Sequence, residues 1–255
     1  MQQLLGPGDP PSFTVHNEGG KAPILLLCDH ASRAVPRALG DLGIGEAELS
    51  RHIGWDIGGL DAALALGEAL DAPLVASGYS RLVIDCNRWP GGEGSIPEVS
   101  DGTRVPANVG LAAADAEARA EACFWPYHRE VDRQLDRMTE GGRKVAMMVV
   151  HSFTPVMAGF QRPWHVGVLW NDDPRLPVPL LAELRRDPSL VVGDNEPYSA
   201  RASYEYTLTA HARSRRLPHC SIEIRQDLMA TPPEARAWGR RLAPALSAAM
   251  VAALA

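Results

Sequence analysis

Three short apolar runs constrain the fold of this 255-residue chain more than any other feature: Pro23-Ile-Leu-Leu-Leu-Cys-Asp29-His30, Val145-Ala-Met-Met-Val-Val-His151 and Cys220-Ser-Ile-Glu223-Ile-Arg225. A run that is apolar at successive positions and bounded by turn or polar residues fits a strand buried on both faces, as in a parallel sheet covered by helices. Each run also delivers a residue that can bind or serve a metal, and ligands of open α/β sheets collect at strand ends. A metal site at the sheet edge is therefore expected. His30 and His151 offer imidazole nitrogens suited to zinc, whose catalytic sites keep one position open for water. Glu223 stands ready to take the proton from that water. A single strand-end histidine more often caps its strand through local hydrogen bonds, but three such ends together favour a site.

The chain is long enough for one large α/β domain whose core needs no covalent staples. Its formal charge of -6 and the absence of a dense Lys/Arg block argue against nucleic acid as a partner. Cys28, Cys86, Cys123 and Cys220 are scattered without C-x-x-C spacing, three of them in apolar contexts typical of reduced thiols. No stretch approaches the roughly 20 apolar residues that span a bilayer, and the first residues lack the basic and apolar regions of a signal peptide. A protein of the cytoplasm with no membrane contact is expected.

Residues 1–20, rich in Pro and Gly, are expected to form an arm or extended lead-in to a domain spanning 21–255. A strand is expected at about 23–28, then a helix from Ser50 to Leu70 in which Ile53, Ile57, Leu60, Leu64 and Leu70 recur at helical spacing. His52 and Asp56 would lie in its first turns. Strands follow at 73–77 and 81–85, then an irregular segment at 87–108. The stretch 111–140 suits a long helix kinked near Pro126, followed by the strand to His151. Further expectations are a strand within 164–170, a helix at 175–187, a short strand at Val191-Val192, a surface loop at 199–208, a helix ending near Leu217, a strand at 219–224 and a helix at 232–254. This alternation specifies a single-domain α/β sandwich with helices on both sides of the sheet.

Two histidines and a base leave a metal site one carboxylate short. Asp56, in His52-Ile-Gly-Trp-Asp56-Ile-Gly-Gly, is favoured as third ligand because an acid among apolar residues is costly unless it has charged partners, and its glycines permit close backbone approach. Asp29 and His52 are rivals. Asp29 adjoins His30 but points the opposite way if the strand continues, whereas His52 shares a helical face with Asp56. The macrodipole at a helix N-terminus would equally favour Asp56 without any metal. A second constellation, Tyr79-Ser-Arg81-Leu-Val-Ile-Asp85-Cys-Asn87-Arg88, places two arginines around a strand. The arginine fork matches a carboxylate, so these residues suggest a small substrate bearing one, although Asp85 is expected to pair with at least one arginine structurally. Arg162 is a third possible anion clamp. Tyr198, in Gly193-Asp-Asn-Glu-Pro-Tyr198, or the later Tyr204 and Tyr206, could donate a hydrogen bond to a developing oxyanion. No nucleophile elbow, phosphate loop or dinucleotide fingerprint is present.

Taken in order, His52-Ile-Gly-Trp-Asp56-Ile-Gly, Tyr79 to Arg88, Val150-His151-Ser152-Phe153-Thr154-Pro155, Gly193 to Tyr198 and Ile222-Glu223-Ile-Arg225-Gln-Asp227-Leu228 resemble the N-formylglutamate amidohydrolase family over about residues 22–250. That family is distantly similar to zinc carboxypeptidases and aspartoacylases. The resemblance implies a mixed-sheet zinc-exopeptidase-like fold and a zinc-dependent amidohydrolase cleaving the N-formyl amide of an acidic amino acid such as glutamate. His30 and His151 match zinc ligands, Glu223 the general base, and Asn87 with Arg88 the pair that binds the substrate carboxylate. One departure stands out: relatives carry a Glu three residues after the first His, where this chain has Arg33. The missing carboxylate is then supplied by Asp56. The alternatives are a carboxypeptidase or amidohydrolase acting on another N-blocked compound, and a non-catalytic metal- or ligand-binding relative.

Overall fold

The computed structural model describes residues 4–199 and 205–255. Seven strands form one mixed sheet: β1 (Phe13–His16), β2 (Ile24–Cys28), β3 (Leu74–Ser77), β4 (Ala146–Phe153), β5 (Val166–Leu169), β6 (Val192–Asp194) and β7 (His219–Arg225). Their spatial order is β1-β3-β2-β4-β7-β5-β6. The central strands β3, β2, β4 and β7 run parallel, β1 joins one edge antiparallel to β3, and β5 runs antiparallel to β7 with β6 parallel beside it. The lead-in thus contributes an edge strand to the sheet.

Strand residues alternate between two cores because successive side chains leave opposite faces of a strand. Ile24, Leu26, Met148, Val150, Ile222 and Ile224 pack into one core with Leu66, Leu180 and Leu242. These last three lie on α2 (Gly59–Leu70), α5 (Pro177–Leu184) and α6 (Pro232–Ala253). Leu25, Leu27, Met147 and Val149 pack on the other face with Tyr127, Val131 and Leu135 of helix Trp125–Thr139. His151 and Glu223 have the parity of this second face, and they stand opposite each other in the β4–β7 register. The sheet therefore sets a histidine beside a carboxylate near the carboxyl ends of two parallel strands.

The structure departs from the sequence expectations in several places. The helix expected from Ser50 begins only at Gly59, and residues 51–58 form turns, so neither His52 nor Asp56 is helical. Gly54 and Gly58 explain the interruption. A side chain on Gly54 would meet the Leu49 carbonyl oxygen at 2.2 Å, and Gly58 has φ +77°, so both are held in a tight turn that a helix cannot continue. Residues 81–85 form turns rather than a strand. The segment after Asn87 includes a small ribbon, Val99–Ser100 with Thr103–Arg104. The 111–140 helix is Ala113–Arg119 and Trp125–Thr139 joined through a π turn at Ala120–Phe124, with Pro126 in the first turn of the second piece. His151 lies within its strand, which runs on to Phe153. Tyr206, Thr207 and Leu208 are buried, where a surface loop was expected; Tyr204 lies outside the described residues.

Helices α2 and α6 touch backbone to backbone. A Cβ added at Gly239 would lie 2.2 Å from the Ala62 carbonyl oxygen and 2.8 Å from the Leu66 nitrogen. Gly239→Val is therefore expected to lower the unfolding free energy by about 1–3 kcal/mol through overpacking. Gly19→Ala, at a site with nothing within 4 Å, should move it by no more than about 0.5 kcal/mol. Equal denaturant midpoints for the two variants would contradict the close helix contact.

Candidate metal centre and active site

The candidate centre is assembled by loops that leave the strand ends. The Asp56 backbone N–H donates to the His30 carbonyl (3.0 Å), and Ser80 binds back to Ala34 and Gly54, so the turns after β2, before α2 and after β3 are tied together. Asp56 Oδ2 then meets His30 Nδ1 at 3.3 Å, His151 Nδ1 at 2.8 Å and the Ser152 N–H at 3.3 Å. The three side chains are nearly fully buried and their ligand atoms all lie within 4.8 Å of one another. His52 stands apart, 3.3 Å from Asp101.

Each histidine turns its other nitrogen toward a further carboxylate. His30 Nε2 lies 2.7 Å from Asp85 Oδ1, and His151 Nε2 lies 3.8 Å from Asp29 Oδ2. Asp85 is held by the Arg81 guanidinium (2.7 Å) and the Asn87 N–H (2.8 Å), while Asp29 Oδ1 accepts from the Tyr127 hydroxyl at 2.6 Å. This is the donor chemistry of a divalent-cation site: imidazole nitrogens and a carboxylate face inward, and outer carboxylates fix the rings from behind. The residues therefore fit a metal.

Protons occupy the same positions when the cation is away. Burial disfavours a charged His151, but its hydrogen bond to Asp56 and the charges of Asp56, Glu223 and Asp29 outweigh that and push its pKa up to about 10. His30 is raised as well, against burial and Arg81, by Asp85 and Asp56. Burial would raise the Asp56 pKa, yet His30 and His151 hold it well below the usual carboxylate range. Burial dominates for Glu223, whose pKa is pushed up to about 7 despite the opposing charge of His151. Its Oε2 is buried with no hydrogen-bond partner, as are Asp29 Oδ2 and His151 Nε2.

The remaining expected residues line the same region in different states. Arg81 pairs with Asp85 and lies 3.6 Å from Asp56 Oδ1, so much of its charge is spent within the centre. Asn87 is buried; its Oδ1 accepts from the Thr207 N–H at 3.1 Å. That contact fixes the amide orientation and turns its NH2 group away from Thr207. Arg88 is partly exposed on the same turn. Arg162 Nη1 donates to the Thr154 carbonyl and hydroxyl and to the Tyr198 hydroxyl (3.0 Å), and its guanidinium lies over the Tyr198 ring at 4.8 Å. Burial raises the Tyr198 pKa, with Glu223 adding to the effect. Asp85, Tyr127 and Ser152 were not singled out from the sequence as parts of the centre. Asp85 alone left a signal, as an acid closing the apolar stretch Leu82-Val83-Ile84.

Proton competition gives a direct prediction. His151 carries a proton on Nδ1 in the metal-free chain at neutral pH, because its folded pKa is pushed up to about 10. Loading zinc at pH 7 is expected to release at least the one proton held by His151, and zinc affinity should rise with pH until His151 titrates near 10. Calorimetric titrations in buffers of different ionisation enthalpy measure the count, and a value near zero would contradict a charged His151.

Comparison with known proteins gives concordant findings. The sequence model described as N-formylglutamate amidohydrolase matches residues 22–230. An N-formylglutamate deformylase of Pseudomonas putida is 32% identical over 133 residues, a stretch covering 48% of either chain. The chain thus spans about half the length of that relative. A solved structure of a gene product from Agrobacterium tumefaciens superposes with a TM-score of 0.93 at 35% identity, covering 97% of this chain and 98% of that one. The N-formylglutamate amidohydrolase from Ralstonia eutropha shares the fold at a TM-score of 0.67 and 20% identity, over 94% and 97% of the two chains.

Proposed function

We propose, from the premise that this chain belongs to the N-formylglutamate amidohydrolase family, that it is a zinc-dependent hydrolase converting N-formylglutamate to formate and glutamate. The observation that carries this reading is the juxtaposition of Glu223 with His151 on neighbouring strands, beside the His30, Asp56 and His151 cluster. A zinc ion held by those three residues would acidify water and polarise the formyl carbonyl.

The chain's own groups supply the rest. Glu223 takes a proton from the attacking water and returns it to the departing amine nitrogen. A carboxyl whose pKa is about 7 exchanges protons in both directions at neutral pH. Asp85 keeps the His30 imidazole oriented with Nδ1 inward, and the Asp29 charge stands behind His151. The Asn87 NH2 group and Arg88 receive the substrate carboxylate, with Arg81 adding positive charge beside them. The Tyr198 hydroxyl accepts from Arg162, which leaves its own hydrogen for the oxygen that gains charge during attack. Residues 21–255 are the catalytic unit in this reading. Four buried free cysteines support a reducing, cytoplasmic setting.

Formate and glutamate release from N-formylglutamate by the zinc-loaded protein tests the proposal. Glu223→Gln is expected to lower kcat by about 10²–10⁴-fold while keeping the bound zinc. Full activity in that variant would remove Glu223 from its role. Failure of the unmodified protein to turn over N-formylglutamate would overturn the substrate.

A further inference from the structure

On the far side of the Asn87 turn, a chain of buried polar groups runs from the protein surface to one backbone carbonyl. His128 Nε2 lies 2.9 Å from the Cys86 carbonyl oxygen, His128 Nδ1 lies 2.9 Å from His211 Nε2, and His211 Nδ1 lies 2.8 Å from Asp132 Oδ1. The carbonyl accepts only, so His128 donates through Nε2 and must accept at Nδ1. His211 Nε2 is therefore the donor between the rings. His211 Nδ1 faces the Asp132 carboxylate, an acceptor, so every ring nitrogen of both histidines has a partner. Burial, reinforced by the charge of His211, keeps the His128 pKa well below the usual histidine value. Arg215 closes the outer end, 2.9 Å from Asp132 and 3.1 Å from Asp136.

The inner end touches the segment that carries Asn87. The Cys86 carbonyl also receives the Thr207 hydroxyl at 3.4 Å, the Asn87 carbonyl accepts from the Tyr206 N–H at 3.2 Å, and Asn87 Oδ1 accepts from the Thr207 N–H. The Tyr206 ring packs against His128 with centroids 4.6 Å apart. Removing His128 would free both strands of this clasp. A buried polar chain costs desolvation that apolar side chains would avoid, and here its inner hydrogen bond goes to the carbonyl preceding Asn87.

We propose that His128, His211 and Asp132 are positioning residues that hold the Asn87 amide and the Tyr206–Thr207 backbone in register for recognition of the substrate carboxylate. The inference rests on the function proposed above, because it assigns Asn87 to that carboxylate. The residues touch neither substrate nor the metal centre; they act through the Cys86 carbonyl.

Two measurements on zinc-loaded protein test it together: steady-state kinetics with N-formylglutamate, and amide hydrogen exchange at Tyr206 and Thr207 without substrate. His128→Phe keeps a ring but loses the donor. It is expected to raise KM about tenfold with kcat changing by less than about threefold, to keep its zinc, and to speed exchange at Tyr206 and Thr207 but not in β4 or β7. His128→Gln, which retains an N–H donor, should recover most of the lost KM. Should His128→Phe fail to fold, Asp132→Asn at the half-exposed outer end should still raise KM about threefold. Unchanged KM and exchange would overturn the relay, as would loss spread evenly over kcat, KM and exchange throughout the sheet. If the unmodified protein ignores N-formylglutamate, the proposed function fails while the exchange measurement still decides the relay.

Discussion

Asp56 Oδ2 is the point on which the structure converges. One carboxylate oxygen accepts from two imidazoles and a backbone amide inside a closed interior, His30 standing on the loop after β2 and His151 and Ser152 side by side on β4. A buried carboxylate is tolerated only when its charge is answered, so the position of Asp56 obliges His30, His151 and Ser152 to be where they are. The requirement spreads outward. His30 has an acceptor behind it in Asp85, the Asp29 charge lies 3.8 Å from His151 Nε2, and those acids need Arg81 and Tyr127. The same arrangement offers inward-facing lone pairs that suit a proton or a divalent cation.

The sheet makes this affordable. Two apolar layers bury β4 and β7 on both faces, which fixes the register in which Glu223 lies beside His151 and leaves no freedom for a one-residue slip. Rigid strands hold His151 and Glu223. Turns hold His30, Asp56 and Asn87; the first two are joined by the Asp56 N–H to the His30 carbonyl and tied to the strands through Ser77 and Ser152. The centre thus combines strand and turn residues, and the α4 helix (Trp125–Thr139) braces the turns, through Tyr127 on one side and His128 on the other.

Much of this was legible in the sequence. The three apolar runs gave the central parallel strands because a strand buried on both faces leaves little room for polar residues, and the trailing His30, His151 and Glu223 stand together in space for the same reason. Asp56 was found by the cost of an acid among apolar neighbours. Its setting was misread as a helix: Ile53, Ile57 and Leu60 repeat at helical spacing, yet the close approach of Gly54 to Leu49 and the left-handed Gly58 break the helix there. The stretch at 81–85 looked like a strand because it is apolar, but it fills a third core beside Phe124 and Tyr206 instead of joining the sheet. Tyr127, His128 and His211 gave no signal, since their partners lie tens of residues away and helical periodicity says nothing about hydrogen bonds across a fold. Arg33, three residues after His30, pairs with the exposed Glu46 outside the centre.

The central claim is that Asp56 and the two histidines hold a metal and are not simply a buried salt bridge. Elemental analysis after dialysis against micromolar zinc, on the unmodified chain and on Asp56→Asn, tests it most directly. The account predicts one zinc per unmodified chain and loss of that zinc in the variant. An unmodified, folded chain that retains no zinc or other divalent ion would contradict it.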